Sequence, residues 1–414
     1  MSPPRFLVIG AGSRGYAYAG AITDETEASL QLLLSPYPTS GPNLGATSSG
    51  VQMAPLKKAN EMHREVIMAL APLGLHTLCE KPLVTTLKDC LDIHRALKPS
   101  ALFSVGHVLR YSPHNMLLRR LLLSDRAIGD IVSIEHTEPA RKPIAAGNAT
   151  NCMTCPLGDD GCKFSAKKIY LGPELASLET GNRSWPVKIV LPEIEDMPNL
   201  AQAKQALAMK LGEDYSAATP DREVAARPWF GRCVYESDND VCDDQFVTLA
   251  WDDEPFIEGA PPRFAKQATL HMVATTKKIC ERYSHIYGTN GEIFADSRTI
   301  TVEDFSTGQR TVYNPKVELS GHGGGDMGLA RQFVLAVQGV KNEGMEVRTA
   351  QDEFIGCSLG EAIMSHLVVF AAEEARREGK VVKLGEWWDR VSKGELQSEG
   401  HEGIRWETVT ERRS

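Results

Sequence analysis

Short apolar runs alternate with helical patterns over the first third of the chain. Runs typical of buried strands lie at residues 5–9, 28–34, 75–79, 101–108 and 131–136. Between them, apolar residues recur at helical spacing at 62–73, 87–97 and 114–123. Strands that alternate with helices in this way predict an α/β domain built on a parallel sheet.

The pattern changes after residue 139. Six short strands between residues 246 and 313, with the hairpin signal Asn290-Gly291 between two of them, predict an antiparallel sheet. Outside this sheet we expect a strand at 186–192 and helices at 200–211, 329–341 and 353–378. The second domain is therefore predicted to be α+β, with an open, mainly antiparallel sheet.

A glycine-rich turn follows the first predicted strand, and the Ala-rich residues after it can form a helix. The turn is Gly10-Ala11-Gly12-Ser13-Arg14-Gly15. Gly10 permits a tight turn, Gly12 lets the backbone approach a pyrophosphate, and Gly15 lets the helix pack closely on the strand. Because a helix N-terminus presents free N–H groups, this turn, with Ser13 and Arg14, is predicted to bind a dinucleotide. The first domain is therefore expected to be Rossmann-like.

The length and the local composition set the expected domain limits. A chain of 414 residues exceeds what one hydrophobic core usually serves. We expect a dinucleotide-binding domain at 1–111, a C-terminal substrate and oligomerisation domain at 112–390, and a polar tail at 391–414. Residues 35–55 are rich in Pro and Gly and carry no charge. They are expected to be disordered or irregular, which leaves the parallel sheet incomplete.

The overall composition excludes several classes of function. With 42% hydrophobic and 24% charged residues, the chain has the composition of an ordinary globular protein. A net charge of −9 without a basic stripe argues against nucleic-acid binding, and no apolar run is long enough to cross a bilayer. The first residues lack the regions of a signal peptide. We expect a cytoplasmic protein that binds a small-molecule substrate, and neither nucleic acid nor membrane.

The cysteines present one further candidate site. Cys152, Cys155 and Cys162 have a spacing that zinc sites use, and Cys233 or Cys242 could supply a fourth thiolate. The alternative is a loop with reduced thiols, which a cytosol favours. Because structural zinc sites usually contain two well-spaced pairs, no metal site is predicted, although zinc binding by the first three stays open.

Four motifs follow one another in a characteristic order. They are the glycine turn, Cys79-Glu80-Lys81-Pro82, Gly106-His107-Val108-Leu109-Arg110-Tyr111 and Ile128-Gly129-Asp130-Ile131. Two later motifs, Tyr287-Gly288-Thr289-Asn290-Gly291-Glu292 and Gly321-His322-Gly323-Gly324-Gly325-Asp326, fit the same scheme. Together they resemble the Gfo/Idh/MocA family of NAD(P)-dependent oxidoreductases. The resemblance covers roughly residues 5–22, 61–139 and 245–380.

This resemblance implies a role for each cofactor-site motif. It implies that NAD or NADP lies over the strand ends, with its pyrophosphate on Gly10, Gly12 and Gly15. Glu80 and Lys81 would face the nicotinamide, and Pro82 would shape that turn, often through a cis bond.

The resemblance also implies hydride transfer between NAD(P) and a sugar, a cyclitol, or a related polyol or carbonyl substrate. Lys81 would be catalytic, because an ammonium near the reacting hydroxyl can stabilise the developing alkoxide. The alternative for Lys81 is an ordinary surface lysine. Arg110 would bind substrate or cofactor, or pair with a carboxylate. A homo-oligomer through the C-terminal sheet is also implied.

The sequence departs from this family in two places. The second strand is followed by Ser35-Pro36 and not by a carboxylate that would bind the ribose, so NAD and NADP are not distinguished. Between Ala140 and Asp240 there is no His-x-x-Asp pattern, which in the family supplies proton transfer. The activity of this exact chain is therefore in doubt. An imperfect gene model and a genuinely diverged protein both explain the loss, and the transcript sequence separates them.

Two further questions stay open at this stage. A non-catalytic NAD(P)-binding regulator, which senses a metabolite on the same scaffold, is the alternative function, and a chain that does not fold stably is a third. His107, His136 and His322 attract attention as acid/base candidates. A single histidine more often has a structural hydrogen bond than a catalytic role.

Overall fold

The computed structural model describes residues 5–9, 18, 22, 29–34, 63–97, 100–139, 150–157, 162, 165–172, 177–183, 186–226, 228–233, 242–254, 263–274, 276, 278, 280–316 and 321–397. The predicted dinucleotide turn at 10–15 and the segment 35–55 lie outside these residues. Two compact units are present. The first unit contains the described residues up to 125 and those from 314 onward, and the second unit contains those from 126 to 313. The predicted domains at 1–111 and 112–390 instead follow one another along the chain.

The described strands and helices are assigned as follows. The strands are β1 Arg5–Ile9, β2 Ser29–Leu34, β3 Thr77–Cys79, β4 Phe103–Val105, β5 Ile131–Pro139, β6 Asp244–Trp251, β7 Lys266–Val273, β8 Tyr283–Gly288, β9 Gly291–Ala295, β10 Ile300–Asp304 and β11 Arg310–Tyr313. The α-helices are α1 His63–Leu70, α2 Leu87–Ala96, α3 Pro113–Arg119, α4 Val187–Val190, α5 Leu200–Gly212, α6 Asp221–Ala226, α7 Gly321–Asn342, α8 Val347–Ala350, α9 Leu359–Glu378 and α10 Leu384–Gln397.

Parallel strand pairs form the sheet structure of the first unit. β1 pairs with β2, and β3 pairs with β4, both in parallel. The apolar run at 28–34 is thus a strand beside β1, as its composition predicted. Helix α2 begins at a defined residue, because the Thr86 side chain accepts a hydrogen bond from Asp89 N at 3.2 Å. Parallel strands with intervening helices confirm the predicted α/β character of this unit.

The core of the first unit joins the two ends of the chain. Leu83, Ile93 and Leu102 are fully buried in one cluster with Leu367 and Trp388. The C-terminal helices therefore complete the core of the N-terminal strands. Local periodicity shows that a helix has a buried face but not which element covers it, so the sequence did not predict this arrangement. Helix α10 also continues to Gln397, past the predicted start of the polar tail at 391.

The second unit is built on a mixed sheet with the order β11-β10-β9-β8-β5-β7-β6. Its neighbouring strands are antiparallel except for β5 and β7, which confirms the predicted open, mainly antiparallel sheet. The predicted hairpin at Asn290-Gly291 joins β8 to β9, with Tyr287 opposite Glu292. A Cβ at Gly291 would lie 2.3 Å from the Glu303 carbonyl oxygen, so a side chain cannot be accommodated there.

A small helical cluster lies between β5 and β6 in the sequence. Its core contains Val187, Val190, Leu207 and Leu211. The strand predicted at 186–192 is wrong, because residues Val187–Val190 form a short helix. Val187 and Val190 lie three residues apart, and this spacing places both side chains on one helical face towards the cluster. The helix predicted at 200–211 is confirmed as α5.

The long helix predicted at 353–378 is interrupted at its start. A π-type turn covers Gln351–Ile355, Gly356 has a φ of 60°, and α9 begins only at Leu359. The Ser358 side chain accepts from Glu361 N and so caps α9. In the described part of the chain, no single helix meets the length and hydropathy requirements of a membrane span; Val347–Ile355 and Leu359–Glu378, bent by 57°, meet them only as a pair.

The turn before α9 is attached to β4 by one buried amide. Gln351 Oε1 accepts from Phe103 N at 3.1 Å, and Gln351 Nε2 donates to the carbonyl oxygens of Phe103 and Cys357, each at 2.7 Å. The side chain thus satisfies main-chain groups on an edge of β4 that would otherwise be buried without partners. It connects the strand that leads to residue 106 with the C-terminal helices.

We expect Gln351→Leu to lower the free energy of unfolding by about 2–4 kcal/mol. Leucine has a similar size but leaves three buried main-chain groups unpaired, and each unpaired group costs about 1–3 kcal/mol before relaxation. Urea denaturation followed by circular dichroism measures the change. Gln309→Leu, at an exposed turn position, is the matched control. A Gln351→Leu protein as stable as the control would contradict this role.

In the first unit, burial lowers the pKa of both His76 and His107. Burial lowers the pKa of His76, whose Nδ1 accepts a hydrogen bond from Leu102 N at 3.0 Å. Burial, assisted by the charges of His366, Arg110 and Lys81, lowers the pKa of His107 from 6.5 to about 4. Between these two pH values the unfolded chain binds a proton that the folded chain does not. The free energy of unfolding is therefore expected to fall as the pH drops through this window.

The variant His107→Asn should weaken this acid sensitivity. It removes a group that binds a proton in the unfolded chain but not in the folded chain, so its free energy of unfolding should change less than that of the wild type between pH 7 and pH 5. Urea midpoints at both pH values test this expectation, with His271→Asn in the second unit as the control. An unchanged pH dependence in His107→Asn would show that the imidazole does not contribute.

Candidate functional site

Two of the predicted motifs meet at the carboxyl ends of β3 and β4. The parallel register pairs Cys79 with Val105, and Gly106 N extends the ladder by donating to Cys79 O at 2.7 Å. Glu80 and Gly106 therefore lie side by side, each one residue beyond the end of its strand. A Cβ at Gly106 would lie 3.0 Å from Glu80 Oε1, so the absence of a side chain at 106 makes room for this carboxylate. In α/β sheets, ligands bind outside this edge.

The Glu80 carboxylate is held on both of its oxygens. Tyr18 donates its hydroxyl proton to Oε1 at 2.5 Å, and Lys81 N donates to Oε2 at 3.1 Å. Tyr18 is buried and lies in the helix predicted after the glycine turn. The sequence did not predict this hydrogen bond between Tyr18 and Glu80. The signal available was a tyrosine in a segment otherwise rich in alanine.

The turn that carries Lys81 is fixed through its backbone. The Lys81–Pro82 peptide bond is cis, as the resemblance implied. His63 Nδ1 lies 2.8 Å from Pro82 O, and Leu83 N donates to His366 Nε2 at 3.0 Å. The two residues after Lys81 are therefore held by contacts with imidazoles, while Lys81 itself is exposed. This arrangement fixes the backbone beside Lys81 and leaves its side chain accessible.

His366 supports this turn through both of its ring nitrogens. Its Nδ1 lies 2.9 Å from Ala362 O, a group that can only accept. The ring proton is therefore on Nδ1, and Nε2 is the acceptor for Leu83 N. With both nitrogens bonded to the main chain, His366 has a structural role.

Of the three histidines noted in the sequence, His107 lies at the carboxyl end of β4, beside Gly106. It follows Gly106 directly, and its ring centroid lies 6.1 Å from that of His366. Its lowered pKa makes it neutral at physiological pH. His136 instead lies on β5 in the second unit, where its Nδ1 is 2.8 Å from Ser284 Oγ. Its contacts are those of a structural histidine.

Arg110 lies in the 3₁₀ helix Val108–Tyr111 that follows His107. Its guanidinium donates to Gly356 O at 3.2 Å. Within the described residues it forms no ion pair with a carboxylate, so that alternative finds no support. The contact ties the 3₁₀ helix to the turn before α9. Substrate binding by Arg110 stays a prediction.

The start of α7 packs directly on the same 3₁₀ helix. A Cβ at Gly325 would lie 2.4 Å from Val108 O, and a Cβ at Gly328 would lie 2.3 Å from Tyr111 O. Only glycine permits this approach of two backbones. The glycine-rich motif before α7, which the sequence singled out, therefore serves close packing beside the end of β4.

The cysteine motif at 152–162 lies in the second unit, whereas Glu80, Lys81 and Gly106 lie in the first. Cys152 N donates to Gly231 O at 2.7 Å and Cys233 N donates to Thr150 O at 2.8 Å, so two short segments pair there. All four thiols of Cys152, Cys155, Cys162 and Cys233 are free. Among the residues that the structure describes, no three His, Cys, Asp or Glu side chains are arranged to hold a metal ion.

The cofactor residues of the glycine turn, Gly10, Gly12, Ser13, Arg14 and Gly15, lie outside the described residues. The structure does describe Glu80, Lys81 and Pro82, and it brings the first two to the strand edge shared with Gly106 and His107. That edge has a carboxylate fixed by hydrogen bonds, an exposed ammonium and a neutral imidazole. Such a set can orient a polar ligand and stabilise a developing negative charge.

A short part of the chain is similar in sequence to known proteins. The chain is similar to 2,7-anhydro-N-acetylneuraminate hydratase of Escherichia coli (strain K12), 31% identical over 80 residues, or 19% of this chain and 21% of that one. It is also similar to inositol 2-dehydrogenase/D-chiro-inositol 3-dehydrogenase of Lactiplantibacillus plantarum, 35% identical over 72 residues, or 17% and 20% of the two chains. The matches thus span about a fifth of the length of these relatives.

The fold is similar to a solved structure over nearly the whole chain. Levoglucosan dehydrogenase in complex with NADH and levoglucosan has a TM-score of 0.54 and 15% identity, and the match covers 92% of this chain and 100% of that one. At this identity the likeness shows the fold alone. Residues 4–107 match the model of an oxidoreductase family with a NAD-binding Rossmann fold. Over these residues, the chain is similar to the NAD-binding domain of the Gfo/Idh/MocA oxidoreductases.

Proposed function

We propose that the protein is an NAD(P)-dependent oxidoreductase that transfers a hydride between the cofactor and a carbon of a sugar, a cyclitol or a related polyol. The observation that carries this proposal is the meeting of Glu80 and Lys81 with Gly106 at the carboxyl edge of β3 and β4. A nicotinamide cofactor supplies the hydride acceptor or donor. The glycine turn with Gly10, Gly12, Ser13, Arg14 and Gly15 would hold its pyrophosphate.

The residues at this edge suit a nicotinamide cofactor. Gly106 keeps the space above the strand ends clear of a side chain, and Glu80 is fixed by Tyr18. Lys81 is exposed on a backbone that His63 and the Leu83–His366 hydrogen bond hold in place. A Lys81 ammonium in this position can donate to the substrate oxygen and stabilise its negative charge during hydride transfer. We therefore assign Lys81 as the catalytic residue and Arg110 as a substrate contact.

The substrate class follows from chemistry shared by the relatives. Their names denote an inositol dehydrogenase and an anhydro-neuraminate hydratase, which act on compounds with several hydroxyl groups. A polyhydroxylated substrate also suits an edge with a fixed carboxylate and an exposed ammonium. We infer a sugar or cyclitol on this basis.

A non-catalytic NAD(P)-binding sensor is the second candidate. The observation in its favour is the absence of a His-x-x-Asp pattern between Ala140 and Asp240. Titration with NADH and NADPH, followed by a turnover assay on a panel of sugars, cyclitols and polyols, separates the two. Binding of a dinucleotide without turnover of any panel member would favour the sensor.

We expect Lys81→Met to lower kcat by roughly 10²-fold or more while NADH still binds. The variant keeps the side-chain length but removes the ammonium, and proton-transfer and charge-stabilising groups typically contribute about 10²–10⁴-fold. Steady-state kinetics and NADH fluorescence measure the two effects. Lys188→Met, which breaks a surface ion pair with Glu195 in the second unit, is the control. Wild-type turnover by Lys81→Met would remove the catalytic role of this lysine.

We further propose that the protein forms a homo-oligomer through one face of the second unit's sheet. The strand registers place Phe246, Tyr283, Phe294 and Val312 on the same face. All four are exposed, Phe246 by 66% and Phe294 by 42%. Exposed apolar side chains on one face of a sheet favour association, because burial removes them from water.

The variant Phe294→Glu should shift the protein to monomers. A carboxylate in the centre of a buried apolar interface would lack a partner, and its desolvation opposes association. Light scattering after size-exclusion chromatography gives the mass. Val381→Glu replaces another exposed valine, in the first unit, and should leave the mass unchanged. A wild-type protein that is monomeric at all concentrations tested would rule out this interface.

A further inference from the structure

One side chain connects the helical residue Tyr18 with the turn at residues 80–82, hereafter the Lys81 turn. The Tyr18 hydroxyl donates to Glu80 Oε1 at 2.5 Å, and Lys81 N donates to Glu80 Oε2 at 3.1 Å. A hydroxyl this close to a carboxylate oxygen makes a strong, charge-assisted hydrogen bond. The Glu80 carboxylate therefore lies between Tyr18 on one oxygen and the main chain of Lys81 on the other.

The position of Tyr18 is itself fixed by packing. Tyr18 is buried in the core cluster of the first unit, which also contains Cys79 and Val105. Ile22 is helical and buried too, and it packs in a small cluster with Val334 of α7. Residues four apart lie on the same face of a helix, so one face carries both contacts. The hydroxyl is thus presented to Glu80 by a side chain that the core holds in place.

Tyr18 also follows the predicted dinucleotide turn closely in the sequence. Gly15 precedes Tyr18 by three residues, and three residues span at most about 11 Å of chain. The covalent chain therefore keeps the turn proposed to hold the pyrophosphate near the residue that bonds Glu80. The hydrogen bond from Tyr18 to Glu80 joins that segment to the one that carries Lys81.

The Lys81 turn is held from two directions. On its C-terminal side, His63 lies against Pro82 O, and His366 accepts from Leu83 N. On its N-terminal side, the Glu80 carboxylate bonds Lys81 N, and the side-chain donor printed by the geometry for that carboxylate is Tyr18. Loss of the Tyr18 hydroxyl would therefore release one side of the turn while the imidazole contacts remain.

We propose that Tyr18 is a positioning residue for hydride transfer, which acts through Glu80 and keeps the Lys81 turn aligned with the dinucleotide turn. The inference rests on the proposed oxidoreductase function. Alignment matters for this reaction, because a misplacement of about 1 Å can lower a rate by about 10²-fold. Tyr18 contributes no group to the chemistry and sets only the geometry in which Lys81 acts.

A double-mutant cycle on the full chain tests the inference. Tyr18→Phe keeps the buried ring and removes the hydroxyl, whereas Glu80→Ala removes the acceptor. Kinetics use the panel member that the wild type oxidises fastest. The fluorescence anisotropy of bound NADH or NADPH, whichever the wild type binds more tightly, reports the mobility of the nicotinamide without turnover.

Tyr111→Phe calibrates the effect on stability. Tyr111 belongs to the same core cluster, and its hydroxyl donates to Ile355 O at 3.0 Å. The variant therefore also loses one hydrogen-bonded hydroxyl from this core, but not one that bonds Glu80. Urea midpoints of the two tyrosine variants are compared.

We expect Tyr18→Phe to lower kcat by roughly 10–100-fold with little change in the KM of the polyol. The bound dinucleotide should show lower anisotropy, because its nicotinamide end is less restrained. In the Glu80→Ala background, Tyr18→Phe should cause no further loss of kcat, since the hydroxyl then has no carboxylate to hold. The urea midpoint of Tyr18→Phe should be close to that of Tyr111→Phe.

Three results would overturn the inference and leave the proposed function standing. They are wild-type kcat and anisotropy in Tyr18→Phe, an equal loss of kcat from Tyr18→Phe with and without Glu80, and a urea midpoint far below that of Tyr111→Phe, which would assign the loss to folding. A wild type that binds NADH or NADPH but oxidises no panel member would instead contradict the proposed function, and the inference with it.

Discussion

The parallel register of β3 and β4 is the constraint on which the candidate site depends. It sets Glu80 level with Gly106, where a Cβ would lie 3.0 Å from the carboxylate, so the glycine gives that carboxylate its room. Tyr18 then fixes that carboxylate from the helix after the dinucleotide turn. A shift of one residue in the register would separate Glu80 from the open position and turn Lys81 away from the edge. The placement of every other group at this edge follows from this alignment.

The site is held in place by segments that lie far away in the sequence. His366 on α9 binds the main chain after Pro82, and Gln351 binds both main-chain groups of Phe103. Arg110 reaches the same C-terminal turn at Gly356. The C-terminal helices thus do more than complete a hydrophobic core. They also hold the two turns that follow β3 and β4 by hydrogen bonds. Contacts that stabilise the first unit therefore also set the geometry of the site.

The loss of the His-x-x-Asp pattern changes where acid/base chemistry can occur. Lys81 can stabilise charge, but an oxidation also needs a group that takes a proton. In the same unit, His322 Nδ1 lies 2.8 Å from Oδ2 of the buried Asp326.

The sequence alone determined the types of element and the residues of the site motifs, because burial period, glycine positions and turn residues are local properties. It predicted the parallel and antiparallel regions, the hairpin at Asn290-Gly291 and the importance of Glu80, Lys81 and Pro82. The tertiary structure decided which distant groups meet these residues. Tyr18 on Glu80 and Asp326 on His322 were not predicted in that role, and the strand proposed at 186–192 is a helix. Periodicity shows that a face is buried, whereas the partner that buries it is chosen by packing over the whole chain.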